Sequence, residues 1–142
     1  MARPLVLVVD DNDLERRLVV EALAELDVDV HEAADAASGL DAVRRLLPAV
    51  AVCEWVLSGG GGLSLCRAIC EDAGMTGTRV VMLTSLADPR DAHTARQAGA
   101  SAFLLKPAEP DELREVVREC LAGRRRFVRQ APTRRPSRGP AG

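Results

Sequence analysis

Aromatic residues are nearly missing from this chain: it has no tyrosine, and Trp55, Phe103 and Phe127 are its complete set. That excludes a base-stacking platform for single-stranded nucleic acid, which needs several aromatic faces, and it argues against a flavin site. No run approaches the ~18 apolar residues of a membrane span. Met1 leads directly into the strand-like Leu5–Val9, without the pattern of a signal peptide. A cytoplasmic protein with no membrane partner is expected. The four cysteines, Cys53, Cys66, Cys70 and Cys120, form no CxxC pair of a zinc or redox motif, so buried free thiols are expected. His31 and His93 have no partner nearby in sequence for a metal or a catalytic dyad. Lysine is the scarcest charge: of 19 basic residues 18 are arginine, and Lys106 stands alone. An ammonium is compact and reaches an anion on a flexible stem, whereas a guanidinium is broad and planar. A single retained lysine therefore marks a place where an ammonium is wanted.

The chain has 142 residues and is 47% hydrophobic, enough for one domain with a sizeable core. Its net charge of −2 is a sum of unlike parts. Residues 1–122 carry 21 acids and 12 bases, giving −9; residues 123–142 carry seven arginines and no acid, giving +7. The first part reads as a folded domain. The second, arginines interspersed with Pro, Gly, Ala and Ser, reads as a disordered tail or linker.

Within the domain the hydrophobic period switches repeatedly. Leu5–Asp10 is a continuous apolar run ending in acid, as in a strand buried on both faces. Asn12 or Asp13 can cap a helix to about Leu26, with Leu14, Leu18, Ala22 and Leu26 on one stripe. Val28–Ala33 is a second strand. Asp35 caps a second helix, its stripe Leu40, Val43 and Leu47, ended before Pro48. Ala49–Glu54 is a third strand, and Ser58 with Gly59–Gly62 makes a loop before a helix from about Leu63 to Glu71. Arg79–Thr84 is the fourth strand. Asp88–Pro89 opens a helix that stops at Ala98–Gly99. Ser101–Leu105 is the fifth strand, and a helix from about Pro110 to Ala122 turns Leu113, Val116, Val117 and Leu121 inward. Gly123 is a good stop.

Alternating strands and helices over about 120 residues predict an α/β fold: a flavodoxin-like, doubly wound parallel sheet of five strands in the order 2-1-3-4-5. In such folds a site lies beyond the carboxyl ends of the strands, at the switch point between strands 1 and 3. Asp10, Asp11, Glu54, Thr84, Ser85 and Lys106 all fall at those ends. Clustered carboxylates suit a hard divalent cation, most naturally Mg²⁺. A hydroxyl and an ammonium opposite them suit phosphoryl oxygens. The turn after strand 1 has no glycine-rich phosphate loop, which argues against a nucleotide. A small phosphoryl-binding site with a metal remains, and no nucleophile–base pair or cofactor motif suggests an enzyme of other chemistry.

Four segments in order, LVLVVDDND with a following arginine, VAVCEWVLSGGGGL, VVMLTS and QAGASAFLLKPAEPDEL, resemble the receiver domain of two-component response regulators, over roughly residues 4–122. The resemblance implies that Asp11 binds Mg²⁺ directly, Asp10 mostly through water, and Val56 through its carbonyl. It implies that Thr84, beside Ser85, and Lys106 hold phosphoryl oxygens, and that Phe103 swings inward as Thr84 is drawn to the site. Lys106–Pro107 would form the following turn, commonly with a cis bond.

The chain also departs from that family. Where the resemblance expects the phosphoacceptor aspartate, at the end of strand 3, this sequence has Glu54, and neither neighbour, Cys53 or Trp55, is an acid. One more methylene moves the carboxylate outward by ~1.5 Å. In-line transfer tolerates little misplacement: ~1 Å can cost ~100-fold. Ser58, Gly60 and Gly61 replace a proline, a bulky apolar residue and often an acid, although Gly62 fits; glycines are costly to order. Glu54 remains an expected metal ligand and is expected to pair with Lys106.

Three readings follow. The first is a phosphorylation-independent receiver, not an enzyme, acting as an interaction module through the face of helix 4, strand 5 and helix 5, which could also form a homodimer. The second is a phosphoacceptor still competent in a histidine–aspartate phosphorelay, with a sensor histidine kinase as partner. The third is a nucleic-acid binder working through the basic tail.

Overall fold

The computed structural model describes residues 3–57, 61–72, 77–85 and 88–123. Ser58–Gly60 of the glycine loop, Phe127 and the arginine-rich stretch 124–142 lie outside the described residues.

Ten elements alternate along the chain. They are β1 (Leu5–Val9), α1 (Asp13–Leu23), β2 (Asp29–Ala33), α2 (Ala36–Leu46), β3 (Val50–Glu54), α3 (Gly62–Glu71), β4 (Arg79–Thr84), α4 (Pro89–Gln97), β5 (Ala102–Leu105) and α5 (Pro110–Leu121). The strands form one parallel sheet in the order β2-β1-β3-β4-β5, as the alternation predicts. The central strands are apolar throughout because both faces are covered. Val6, Val8, Val50, Val52, Val81, Leu83 and Leu104 pack with Val19, Leu23, Leu113 and Val117 of α1 and α5. Leu7, Val9, Ala51, Cys53, Val80, Met82 and Phe103 pack with Val43, Leu65 and Ile69 of α2 and α3. Successive strand residues alternate between these two layers, the period of two that a strand requires. Burying each such Val or Leu contributes roughly 1.5–3 kcal/mol.

Helix starts follow local chemistry. Asn12 and Asp35 each accept a hydrogen bond from the backbone N–H three residues on, and Asp88 accepts from Arg90. Asp88 is thereby held at about 2, chiefly by the hydrogen bonds from the Arg90 side chain and backbone.

The helix faces depart from the sequence reading in three places. α1 ends at Leu23 rather than Leu26, and its buried residues are Val19, Ala22 and Leu23. Leu14 and Leu18, expected inside, are 67% and 57% exposed. The spacing of four admitted either stripe; packing on both the sheet and α5 selects the one centred on Leu23. In α2 the buried set is Gly39, Ala42 and Val43, and Leu47 leaves the helix in the left-handed conformation with φ 47° and is exposed. Gly39 sits close against the sheet: a Cβ there would meet the Val9 side chain at 3.1 Å, a tight contact. In α5 Cys120, not Leu121, completes the buried row with Leu113, Val116 and Val117. Cys53, Cys66 and Cys120 are buried free thiols and Cys70 is half-buried. Burial pushes the Cys53 thiol up to about 12.

Candidate functional site at the carboxyl edge of the sheet

Strand parity assembles the site. Asp10, Glu54 and Lys106 each lie two residues beyond a member of the α1/α5 layer: Val8, Val52 and Leu104. Their side chains therefore leave the sheet on the side of α1. Thr84 continues the Val80–Met82 row of the other layer, where Phe103 also lies.

The Lys106 ammonium is the centre of the cluster. Its Nζ donates to Asp10 Oδ2 at 3.1 Å and to Glu15 Oε1, and it is ion-paired with Glu54 Oε1 at 2.5 Å. Burial alone would push the ammonium down. Its contacts with Glu15, Glu54 and Asp10 outweigh that and hold it above the ordinary lysine range. The expected pairing of Glu54 with Lys106 is therefore present. Both strand-end acids are well covered: Asp10 is 3% and Glu54 8% exposed. Each is oriented by a backbone amide two residues on, with Asn12 N–H donating to Asp10 Oδ1 at 2.9 Å and Val56 N–H to Glu54 Oε2 at 3.0 Å.

Arg16 braces the β1 end. Its guanidinium donates to the Asp10 carbonyl, to Asp13 and to Glu32, each at 2.8 Å, tying the α1 start to β2. Its pKa is raised, first by the hydrogen bond to Glu32 and then by that to Asp13. On the other side Gly62 is wedged under β3. A Cβ there would stand 2.0 Å from the Glu54 carbonyl oxygen, and the Gly62 N–H donates to the Trp55 carbonyl at 2.6 Å. Only glycine permits that approach. The segment after Glu54 is thus anchored at the α3 start, and Val56 there is 59% exposed.

The remaining predicted residues sit as follows. Thr84 is fully buried, and its carbonyl accepts the Lys106 N–H at 2.8 Å. Ser85 is exposed. Phe103 is 4% exposed and meets Trp55 edge-to-face, ring centroids 6.1 Å apart at 87°. Lys106–Pro107 is a cis peptide.

The carboxylates that converge are not quite those expected. Oxygens of Asp10, Glu15 and Glu54 lie within 4.8 Å of one another, whereas Asp11 is exposed and is not one of the three. Asp11 sits at the turn between β1 and α1, while Glu15, one helical turn on, faces the site. Three carboxylates are a suitable oxygen donor set for Mg²⁺. Here the cation they share is the Lys106 ammonium, so a metal would have to enter beside it or displace it. Sequence reasoning missed Glu15, which belongs to no motif and lies 91 residues from Lys106. Its one sequence signal is its place three residues after the N-cap Asn12, in the first turn of a helix that starts at the site. A groove of about 750 Å³ runs from this cluster between α1 and α5, past Leu18, Ala22, Pro107 and Leu113.

Residues 6–118, four fifths of the chain, match the response regulator receiver domain family. The chain belongs to that family. The DNA-binding response regulator MtrA of Mycolicibacterium smegmatis is 32% identical over 116 residues, covering 82% of this chain and 50% of MtrA. The response regulator Rre1 of Synechocystis is 34% identical over 124 residues, 86% of this chain and 54% of its own. This receiver thus spans about half the length of the curated relatives it matches. Among solved structures, the signal receiver domain assigned to NarL of Mycobacterium tuberculosis is similar with a TM-score of 0.81 and 32% identity, covering 87% of this chain and all of that one. The receiver is a two-component signalling domain with the flavodoxin-like fold. None of its helices, among the described residues, is long and apolar enough to cross a membrane.

Proposed function

We propose that this receiver acts as a phosphorylation-independent interaction module in two-component signalling. Glu54 stands where the family's phosphoacceptor aspartate is expected. The observation that carries the reading is the Glu54–Lys106 ion pair at 2.5 Å, inside a cluster where the glutamate is 8% exposed. The ammonium expected to receive phosphoryl oxygens already holds a carboxylate that reaches out ~1.5 Å further than an aspartate would. Phe103, the aromatic expected to turn inward on activation, is buried against Trp55. A carboxylate offers fewer charges and oxygens than a phosphoryl group, so the bias toward the signalling state is partial.

On this reading the module catalyses no reaction, and a metal is not required for its output. Its partners are signalling proteins, a sensor histidine kinase among them, and the surface of α4, β5 and α5 is the output face and the place for self-association. The relatives named as DNA-binding regulators make transcriptional output the natural context. The arginine-rich residues 124–142 would add an electrostatic contribution to nucleic-acid binding.

The test is incubation with Mg²⁺ and acetyl phosphate followed by intact-mass analysis. The wild-type protein is expected to gain nothing and Glu54→Asp to gain one acid-labile phosphoryl group. A phosphoryl adduct on Glu54 overturns the proposal in favour of a competent phosphorelay acceptor.

A further inference from the structure

Lys106 carries three N–H donors and no acceptor. Three carboxylates surround it: Asp10, Glu15 and Glu54. The donors are therefore all engaged within the protein, and none is left for an incoming anion. The three acids are not equally committed. The Asp10 and Glu54 side chains are 5% and 10% exposed, and each has its second oxygen fixed by a backbone amide. The Glu15 side chain is 48% exposed and comes from the first turn of α1.

The capping of α1 explains why Glu15 reaches the site. Glu15 is three residues after the N-cap Asn12, and its N–H donates to Asn12 Oδ1 at 2.8 Å. In a capping box a glutamate at this position turns back to the N-cap N–H. Here that N–H is already donated to Asp10 Oδ1. The Glu15 carboxylate is left without its local partner and turns to Lys106. Asp10 thus has two effects: it binds the lysine with one oxygen and, with the other, takes the donor that Glu15 would use.

We propose that Glu15 is an internal competitor at the site: it holds the Lys106 donor that a phosphoryl group or other small oxyanion would use, and so sets how readily the site accepts one. As the most exposed of the three acids, it is the one that yields. The proposal deepens the reading above but fails separately from it, since phosphorylation of Glu54 is read by mass and competition by anion affinity.

The test compares wild type, Glu15→Ala and Glu15→Gln. Each is titrated with inorganic phosphate at constant ionic strength, with and without a fixed millimolar Mg²⁺ concentration. Trp55 emission reports binding, and calorimetry checks it. Freeing one charge-assisted donor and removing one like charge is expected to tighten phosphate binding at least about tenfold in Glu15→Ala. Glu15→Gln, which loses the charge and keeps an acceptor, should fall between. If Glu15→Ala does not fold by circular dichroism, Glu15→Gln decides alone, with tightening of more than about threefold expected. The gain must vanish when Lys106→Met is added to the responsive variant. Unchanged or weaker affinity, absence of phosphate binding in the variants, or a gain that survives loss of Lys106 would each overturn the proposal.

Discussion

Replacing Lys106 by methionine keeps the length of the stem and deletes the cation that, among the described residues, Asp10, Glu15 and Glu54 share. Three carboxylates with oxygens within 4.8 Å of one another are then left uncompensated. At an effective dielectric constant near 20, each pair at that distance repels by about 3.5 kcal/mol. The native state need not bear all of this, because it can take up a proton. Forcing one carboxylic acid, ordinarily near 4, to stay protonated at pH 7 costs about 4 kcal/mol, which caps the penalty from one such site. Glu15 is half-exposed and screened, which lowers the figure further. A loss of about 3 kcal/mol at pH 7.5 is expected, within the range for breaking a buried pair by removing one partner.

The sign of the pH dependence is the sharper test. The variant's native state would hold a proton on this cluster that its unfolded chain has released. Its stability should therefore fall as pH rises from about 5 to 8. In the wild type the lysine is held above its ordinary value, so its contribution is fully present across that window and is lost only as pH rises through its elevated folded value. Urea unfolding followed by Trp55 emission at pH 5.5, 7 and 8.5 measures both. A loss under about 1 kcal/mol that does not grow with pH would refute the idea that Lys106 holds these carboxylates together.

Gly62→Ala would drive a Cβ to 2.0 Å from the Glu54 carbonyl, so the β3–α3 segment must shift; a loss of at least about 2 kcal/mol in urea unfolding is expected, with altered Trp55 emission. Leu18→Ala should change stability by less than about 0.5 kcal/mol because the side chain is exposed, whereas Leu23→Ala on the same helix should cost about 3 kcal/mol. Parallel urea melts check both, and a large loss from Leu18→Ala would restore the stripe read from sequence. Asp88, held at about 2, contributes to the α4 cap above its unfolded value and should lose that contribution as pH falls from about 4 toward 2. Amide exchange at the α4 N-terminus should quicken over that window in wild type, and should be fast throughout in Asp88→Ala.

The strands were legible because a doubly covered parallel strand has to be apolar at every position, so LVLVV and VAVCE announce themselves whatever surrounds them. Helix faces were less legible. In α1 both the Leu14–Leu18 row and the Val19–Leu23 row satisfy helical spacing, and the choice is made by α5 and the sheet, which a local pattern does not contain. Leu47 illustrates a second limit. It continues the stripe of α2, but Pro48 forbids the helix from continuing, and the chain reverses through a left-handed residue that carries its side chain out to solvent.

The site divides in the same way. Asp10, Glu54 and Lys106 could be placed from sequence because each ends a strand, and strand ends on one edge of a parallel sheet converge by topology alone. Glu15 could not, since its role arises from competition for one backbone donor. Asp10 takes the Asn12 N–H, the capping box stays open, and the freed carboxylate pairs with Lys106. That chain of displacement changes what the solitary lysine means. Composition alone says that an ammonium is needed where eighteen arginines would not serve. The structure adds a reason: three acids within 4.8 Å share one charge, and a compact ammonium sits among them where a broader, planar guanidinium would have to push them apart. Lys106→Arg should therefore fail to restore the stability that Lys106→Met loses, although it restores the charge.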